Sequence, residues 1–385
     1  MFQWVRTVNF QNKYGFRGVL SFEIRTMKKS YTTFCLLFSC FITFSQSVDL
    51  DRYNFNASFI ELPKMVIDTS YKTYFVEFDA SSALMKDIDD LRLEDLVFID
   101  GWRKLSRNGH VKISTRLEDI IIDGVEVKER IEILKDKRGK ETGRVSHFYT
   151  QLSYTFSAES RVIDYRGNII STLKLANRNN RQLYNGQEFS SFLEASLHYK
   201  YRTADFIREI TKRSVQGSLN QLTNVITNNY GYAVRTVSDF LWILDSKKHP
   251  EYEAHKRAWL SFKQAMFHMN AEEPLDNVRE SLAPVIKYYE SIARKYSSRS
   301  KSDRKLRYAS YYNLAKIHYY LDDPDASMRQ AGELSMNDYD EKDGKRLELI
   351  AFQLKTILRL NKFTGRHFPL QIETFTPPGI VRSAE

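Results

Sequence analysis

The sequence predicts an α+β protein: an N-terminal antiparallel β-rich domain with a packed helix, followed by a C-terminal antiparallel α-helical array. Three observations carry this. Apolar residues recur at period two from Tyr71 to about Ala176, the period changes to 3.6 near Thr203, and beyond His249-Pro250 almost every periodic segment is helical.

Residues 71–78, 93–99 and 111–122 read as strands, and the apolar parity changes between Leu117 and Ile120, where a bulge or bend is expected. Next, Val125, Val127, Ile131 and Ile133 alternate with Glu126, Lys128, Arg130 and Glu132, the pattern of a strand with one wet face. The polar, glycine-bearing segment 135–143 leads into Phe148, Leu152, Tyr154 and Phe156, which share one parity, so a hairpin follows. The turn Asp164-Tyr-Arg-Gly-Asn168 separates 161–164 from 169–175 and predicts a third antiparallel partner. Phe206, Ile207, Ile210, Val215, Leu219, Leu222 and Ile226 then share one helical face, which ends at Asn228-Asn-Tyr-Gly231. Residues 232–244 read either as a returning strand or as a short strand plus helix. Helices are expected at about 250–270, 276–297, 303–321, 325–336 and 343–361, with links short enough to make neighbours antiparallel.

Within the array, Tyr311, Leu314, Ala315 and His318 are followed by Ala326 or Ser327 and by Ala331. This stretch resembles a tetratricopeptide repeat, in which a large residue, a leucine and a small residue on one helix meet small residues on the next. The resemblance covers about 303–336, with a degenerate flanking unit around 258–296. It implies close helix packing and a protein-binding role. His318 replaces the usual tyrosine, and the alanine register is one residue off.

The beginning of the chain points to export. From Met27, Lys28 and Lys29 precede an apolar run over 34–44 and then small residues, the plan of a signal peptide. The run falls short of the roughly 20 apolar residues a membrane span requires. Cleavage is expected after Ser45 or Ser47. The domain scheme is therefore a spurious extension over 1–26, a signal peptide over 27–47, the β-rich domain over 48–248, the helical domain over 249–365 and a C-terminal tail over 366–385. Leu37-Phe-Ser-Cys40 partly matches a lipobox, so lipidation of Cys40 is the one route to a membrane read here.

Removing 27–47 removes Cys35 and Cys40, the two cysteines of the chain. Thiolate zinc sites, iron–sulfur clusters and a cysteine nucleophile are then excluded. Residues 1–47 hold six basic residues and one acidic, so the net charge falls from +10 to +5 beyond them. Interspersed charges and export argue against nucleic acid as a partner. The basic stretch from Arg294 to Arg307 reads as a solvated linker, or as a contact for anionic headgroups or an acidic partner.

No spacing identifies a reaction. The eight histidines are scattered without a His-Glu-x-x-His pair, and His249 and His255 would not share a helical face. Residues 338–344 fail as a calcium loop because Tyr339 would take the first ligand position, which leaves a turn or a helix N-cap at Asp343. The adjacent carboxylates Glu118-Asp119 and Asp89-Asp90 point in different directions. No metal or cofactor is implied.

Tyrosine is the unusual residue, with 23 in the chain. Tyr308, Tyr311, Tyr312, Tyr319 and Tyr320 crowd one helix, more than a single buried stripe holds. Tyr308, Tyr312, Tyr319 and Tyr320 are therefore a candidate partner-binding surface, packing on a neighbouring helix being the alternative. The expectation is a non-enzymatic cell-envelope protein, periplasmic or outer-membrane-associated, that holds a protein partner through its helices. A glycan- or peptidoglycan-binding module with a tyrosine-lined groove is the second reading, and a hydrolase whose residues converge only in three dimensions is the third.

Overall fold

The computed structural model describes residues 47–379. The expected extension over 1–26, the signal segment up to residue 46 and Cys40 lie outside the described residues. Chain order is β1 (Leu50–Glu61), β2 (Thr73–Ala80), α1 (Ser82–Asp87), β3 (Arg103–Lys104), β4 (Val111–Leu117), β5 (Ile121–Lys135), β6 (Glu141–Thr155), β7 (Ala158–Asp164), β8 (Ile169–Ala176), β9 (Gln182–Phe189), α2 (Phe192–Tyr230) and β10 (Ala233–Leu244). The helical array follows as α3 (Tyr252–Phe267), α4 (Asp276–Lys295), α5 (Lys301–Tyr320), α6 (Pro324–Met336) and α7 (Glu341–Asn361). This is the α+β order expected, a largely antiparallel β half with one packed helix and then a helical half.

One long bent hairpin organises the β half. Leu117 pairs with Ala158 and Ile121 with Thr155, so β4 and β5 form one arm of the hairpin and β6 and β7 the other. The bend falls at 118–120, where the apolar parity changes. Below it, β4 and β7 belong to the sheet β3-β2-β4-β7-β8; beyond it, β5 and β6 form a second sheet with β9. Strand β2 runs parallel to β3 and β4, a departure from the purely antiparallel expectation.

Helix α2 spans both sheets. Its Phe206 and Ile210 pack on Leu152 and Tyr184, while Val215, Leu219, Leu222 and Ile226 join Val111, Ile113 and Val162 in the main core. It starts at Phe192 rather than near Thr203, because Ser191 caps it through the Glu194 amide at 3.2 Å. A kink at Arg202 (φ −122°, ψ 25°) breaks the period there and hides the first turns from a 3.6-residue pattern.

Two expectations fail locally. Residues 93–99 are not a strand: Leu93–Leu96 is a 3₁₀ turn, and buried Leu93 and Val97 are spaced as on a helix. The expected cap at Asp343 is taken by Asp340, whose carboxylate accepts the Lys342 amide at 3.2 Å. Asp343 instead accepts the Tyr308 hydroxyl at 2.6 Å.

Residues 232–244 resolve as strand, with β10 antiparallel to β1 from Leu50↔Leu244 to Glu61↔Ala233. This ribbon lies on the helical array, where Phe55, Ala57 and Leu241 share a core with Trp259, Phe262, Tyr289, Leu314 and Ile317. Its backbone is bound by side chains: Asn313 accepts the Trp242 amide at 2.9 Å and donates to the Trp242 carbonyl at 2.8 Å. An amide side chain thus pairs as a neighbouring strand would.

His255 sits in the same seam, with Nε2 at 3.2 Å from the Trp242 carbonyl and Nδ1 buried without a partner. Burial pushes the imidazole down to about 4, the carbonyl contact opposing it. The unfolded chain therefore holds more protons as pH falls from the ordinary histidine value of about 6.5. Stability attributable to His255 is complete above that value and is lost progressively down to about pH 4, on the order of 3 kcal/mol in all. Urea unfolding of the wild type and His255→Gln at about pH 7 and about pH 4.5 checks this. The variant is expected to lose less stability on acidification, and parallel losses would remove His255 as the cause.

Candidate anion-binding cleft in the helical array

The basic stretch of the sequence folds into a cleft. Helices α4, α5 and the end of α6 enclose about 650 Å³, lined by Arg294, Arg299, Arg304 and Arg307 with Tyr311, Glu333 and Asp338. Arg304, Arg307 and Tyr311 recur at i, i+3 and i+7, so one face of α5 carries all three. Two lysines of the stretch are engaged elsewhere: Lys295 pairs with Glu251 at 2.5 Å and Lys305 with Asp49 at 3.3 Å.

Arg307 is fixed by neutral groups. Its Nε donates to Asn337 Oδ1 at 2.8 Å and its Nη1 to the carbonyls of Tyr296 and Ser298, the latter at 2.8 Å. Asn337 is itself held by donating to the Arg304 carbonyl at 2.7 Å. No carboxylate meets the Arg307 charge among these bonds. Arg304 pairs with Asp338, yet its Nε is buried without an acceptor. Arg294 and Arg299 are exposed and make no ion pair among the described residues. Burial and the nearby Glu333 raise the Tyr311 phenol above its ordinary value, so it stays a neutral donor and ring wall.

Four guanidinium groups against two carboxylates leave a positive, partly desolvated hollow. A guanidinium presents a planar fork of donors that matches carboxylate or phosphate, and one already held in place loses little entropy on binding. The arrangement is suited to binding an anionic group.

The four tyrosines singled out in the sequence do not form a surface. Tyr308, Tyr312 and Tyr320 are buried, and Tyr319 is half-buried. The reason is strand β10, which adds a second aromatic layer to α5. Tyr312 stacks on Phe240 with centroids 5.4 Å apart, and Tyr308 packs against Trp242 at 6.0 Å. Tyr320 donates to Asp239 at 2.6 Å, and the Tyr319 ring lies 4.7 Å from the Arg366 guanidinium. Of that helix, Tyr311 is the tyrosine that lines the cleft. The sequence signal for the cleft was the spacing of Arg304, Arg307 and Tyr311, overshadowed by the tyrosine count.

His249 and His255 are both buried. Among the described residues, no group of three or more histidine, cysteine or acidic side chains is placed to hold a metal ion, and no helix is long and apolar enough to cross a membrane.

No protein-family model and no curated protein matches the chain. A solved structure designated a neuraminyllactose-binding hemagglutinin homolog, from Helicobacter pylori, aligns over 43% of this chain and 94% of its own, at 10% identity and a TM-score of 0.19. That score is too low to argue fold or function from it.

Proposed function

We propose that the protein is an exported, non-enzymatic envelope scaffold whose tetratricopeptide-like array takes an acidic segment of a protein partner in the arginine-lined cleft. Arg307 carries the reading: a half-buried guanidinium oriented entirely by neutral acceptors has its charge available for a ligand. The packing expected of the repeat-like pair supports the tetratricopeptide-like array. Ala315, Ala326, Ser327 and Ala331 are buried between α5 and α6, and Ser327 Oγ donates to the Ala315 carbonyl at 2.8 Å. The glycan reading needs a tyrosine-lined groove, and of its four tyrosines Tyr308, Tyr312 and Tyr320 are in the core while Tyr319 is half-buried against Arg366.

Arg294→Glu combined with Arg299→Glu tests the cleft, because both side chains are exposed and the fold does not depend on them. A partner recovered from crosslinked envelopes by the wild type is expected to be lost by this variant and kept by Lys301→Glu, an exposed residue outside the cleft. Exposed charges such as these act chiefly on the association rate, so the loss of recovery is expected to be greatest at low salt. Equal recovery by all three proteins, or a glycan-array signal unchanged by the double variant, would remove the cleft from the account.

A further inference from the structure

Strands β5 and β6 continue past the rest of the fold. Phe148, opposite Phe189, is the last residue of β6 paired with β9, and beyond it the two strands pair only with each other, as far as Lys135↔Glu141. Every residue from 129 to 142 is exposed. The turn is well made: Asp136 Oδ1 accepts the amides of Arg138 and Lys140 at 2.8 and 2.9 Å, and Gly139 takes the left-handed position at φ 79°.

Both faces of this ribbon carry bare aliphatic side chains. Ile131 and Ile133, 52% and 48% exposed, lie on one face, and Leu134 and Val145, 43% and 40% exposed, on the other. Three of the acidic groups nearby are ion-paired, Glu132 with His147 at 3.0 Å, Glu188 with Arg130 at 2.7 Å and Glu141 with Arg144 at 2.7 Å. Asp136 accepts the turn amides and Glu129 makes no ion pair among the described residues, so the tip keeps a net positive charge. Lys135, Lys137, Arg138 and Lys140 make no ion pair among the described residues. The arm therefore ends in four free cations beside four exposed aliphatics.

We propose that this arm docks on an anionic lipid surface, its aliphatic side chains entering the headgroup region and its terminal cations meeting lipid phosphates. Three physical points select this occupant. The charge is complementary to anionic lipid. A flat protein surface would cover one face of the ribbon and leave the other wet, whereas a lipid interface surrounds both. A second copy pairing along the free edge of β5 with Val127 opposite Ile131 is disfavoured by charge, since that antiparallel register also sets Lys128 opposite Arg130 and Glu126 opposite Glu132. Pairing in the other registers would show as a dimer that Ile131→Ser with Ile133→Ser abolishes. This docking requires no lipid on Cys40 and is independent of the arginine cleft.

Flotation of the exported chain from Val48 with phosphatidylglycerol-containing vesicles, and with pure phosphatidylcholine vesicles, tests it. Binding is expected only to the anionic vesicles and to weaken with salt. Each cation near such a surface contributes about fivefold, so reversing Lys135, Lys137, Arg138 and Lys140 to Glu lowers partitioning by at least several hundred-fold. Ile131→Ser with Ile133→Ser, which keeps Leu134 and Val145, should leave a weaker and more salt-sensitive association. All these residues are exposed, so thermal unfolding of both variants should match the wild type. Failure of the wild type to bind, equal binding to neutral vesicles, or unchanged binding by the charge-reversed arm would overturn the proposal. So would a dimer that the Ile131→Ser, Ile133→Ser variant abolishes.

Discussion

Asp322→Ala is expected to lower the unfolding free energy by roughly 3–5 kcal/mol, because it leaves a buried guanidinium without its counter-charge. The Asp322 side chain is fully buried and sits at φ 55°, just beyond α5. It accepts the Arg366 Nε at 2.7 Å, the Arg366 amide at 2.6 Å and the His367 Nδ1 at 2.9 Å. His367 reaches onward from Nε2 to the Ser58 carbonyl at 3.1 Å. The C-terminal tail expected from residue 366 thus begins as a clasp that ties the helical array to β1. Burial alone would raise the Asp322 carboxyl, but His367 and Arg366 together hold it below the ordinary aspartate value. Its contribution is therefore present above about pH 4 and is lost as pH falls through the lowered folded value. Denaturant titration measures the loss. Asp322→Leu with Arg366→Met should recover part of it, since no guanidinium then remains unpaired, while the His367 Nδ1 and the Arg366 amide still lack their acceptor. A loss under about 1 kcal/mol in Asp322→Ala would place the clasp outside the cooperative core.

Gly344→Ala is the second large effect, and two principles disagree about its sign. Helix propensity alone favours alanine by about 1 kcal/mol in an exposed helix interior. Packing opposes it: a Cβ on Gly344 would lie 2.7 Å from the Ser335 amide nitrogen and 2.9 Å from the Ala331 carbonyl oxygen, both backbone atoms of α6. Backbone cannot rotate away as a side chain does, so α6 and α7 must separate, at a cost of about 1–3 kcal/mol or more. Packing wins, and the melting temperature is expected to fall. A stabilised variant would show that α6 and α7 can part without loss.

Much of the fold was legible because two periods mark it. Val125 to Ile133 and the stripe from Phe206 to Ile226 announce their elements through spacing alone. Strand β1 was not expected, although Phe55, Ala57 and Phe59 alternate with Asn54, Asn56 and Ser58; its partner β10 is so distant that no local turn announces the pairing. Strand β9 was missed because Gln182, Asn185, Gln187 and Glu188 interrupt its apolar residues. The apolar face of β5 was expected to be buried, yet Ile131 and Ile133 lie beyond the reach of β9 and α2, a matter of element length that alternation does not encode. At the cleft, the stretch from Arg294 to Arg307 reads first as a solvated linker, although Arg304, Arg307 and Tyr311 are spaced to share one face of α5. That spacing did not show that Asn337 and two backbone carbonyls would fix Arg307. The tyrosines misled for a related reason: counting them against one buried stripe omits the second layer that Phe240 and Trp242 provide.

The β1–β10 ribbon governs the order in which the molecule can be made. Leu50 pairs with Leu244, and the other edge of the same strand meets the clasp, where the Ile60 amide donates to the Arg366 carbonyl at 2.9 Å. The first strand among the described residues is therefore completed by residues more than three hundred positions later. Such high contact order slows folding, since loop closure must precede the stabilising contacts. A chain shortened before Arg366 would keep a bare strand edge on β1, the kind of edge that seeds aggregation or invites a chaperone.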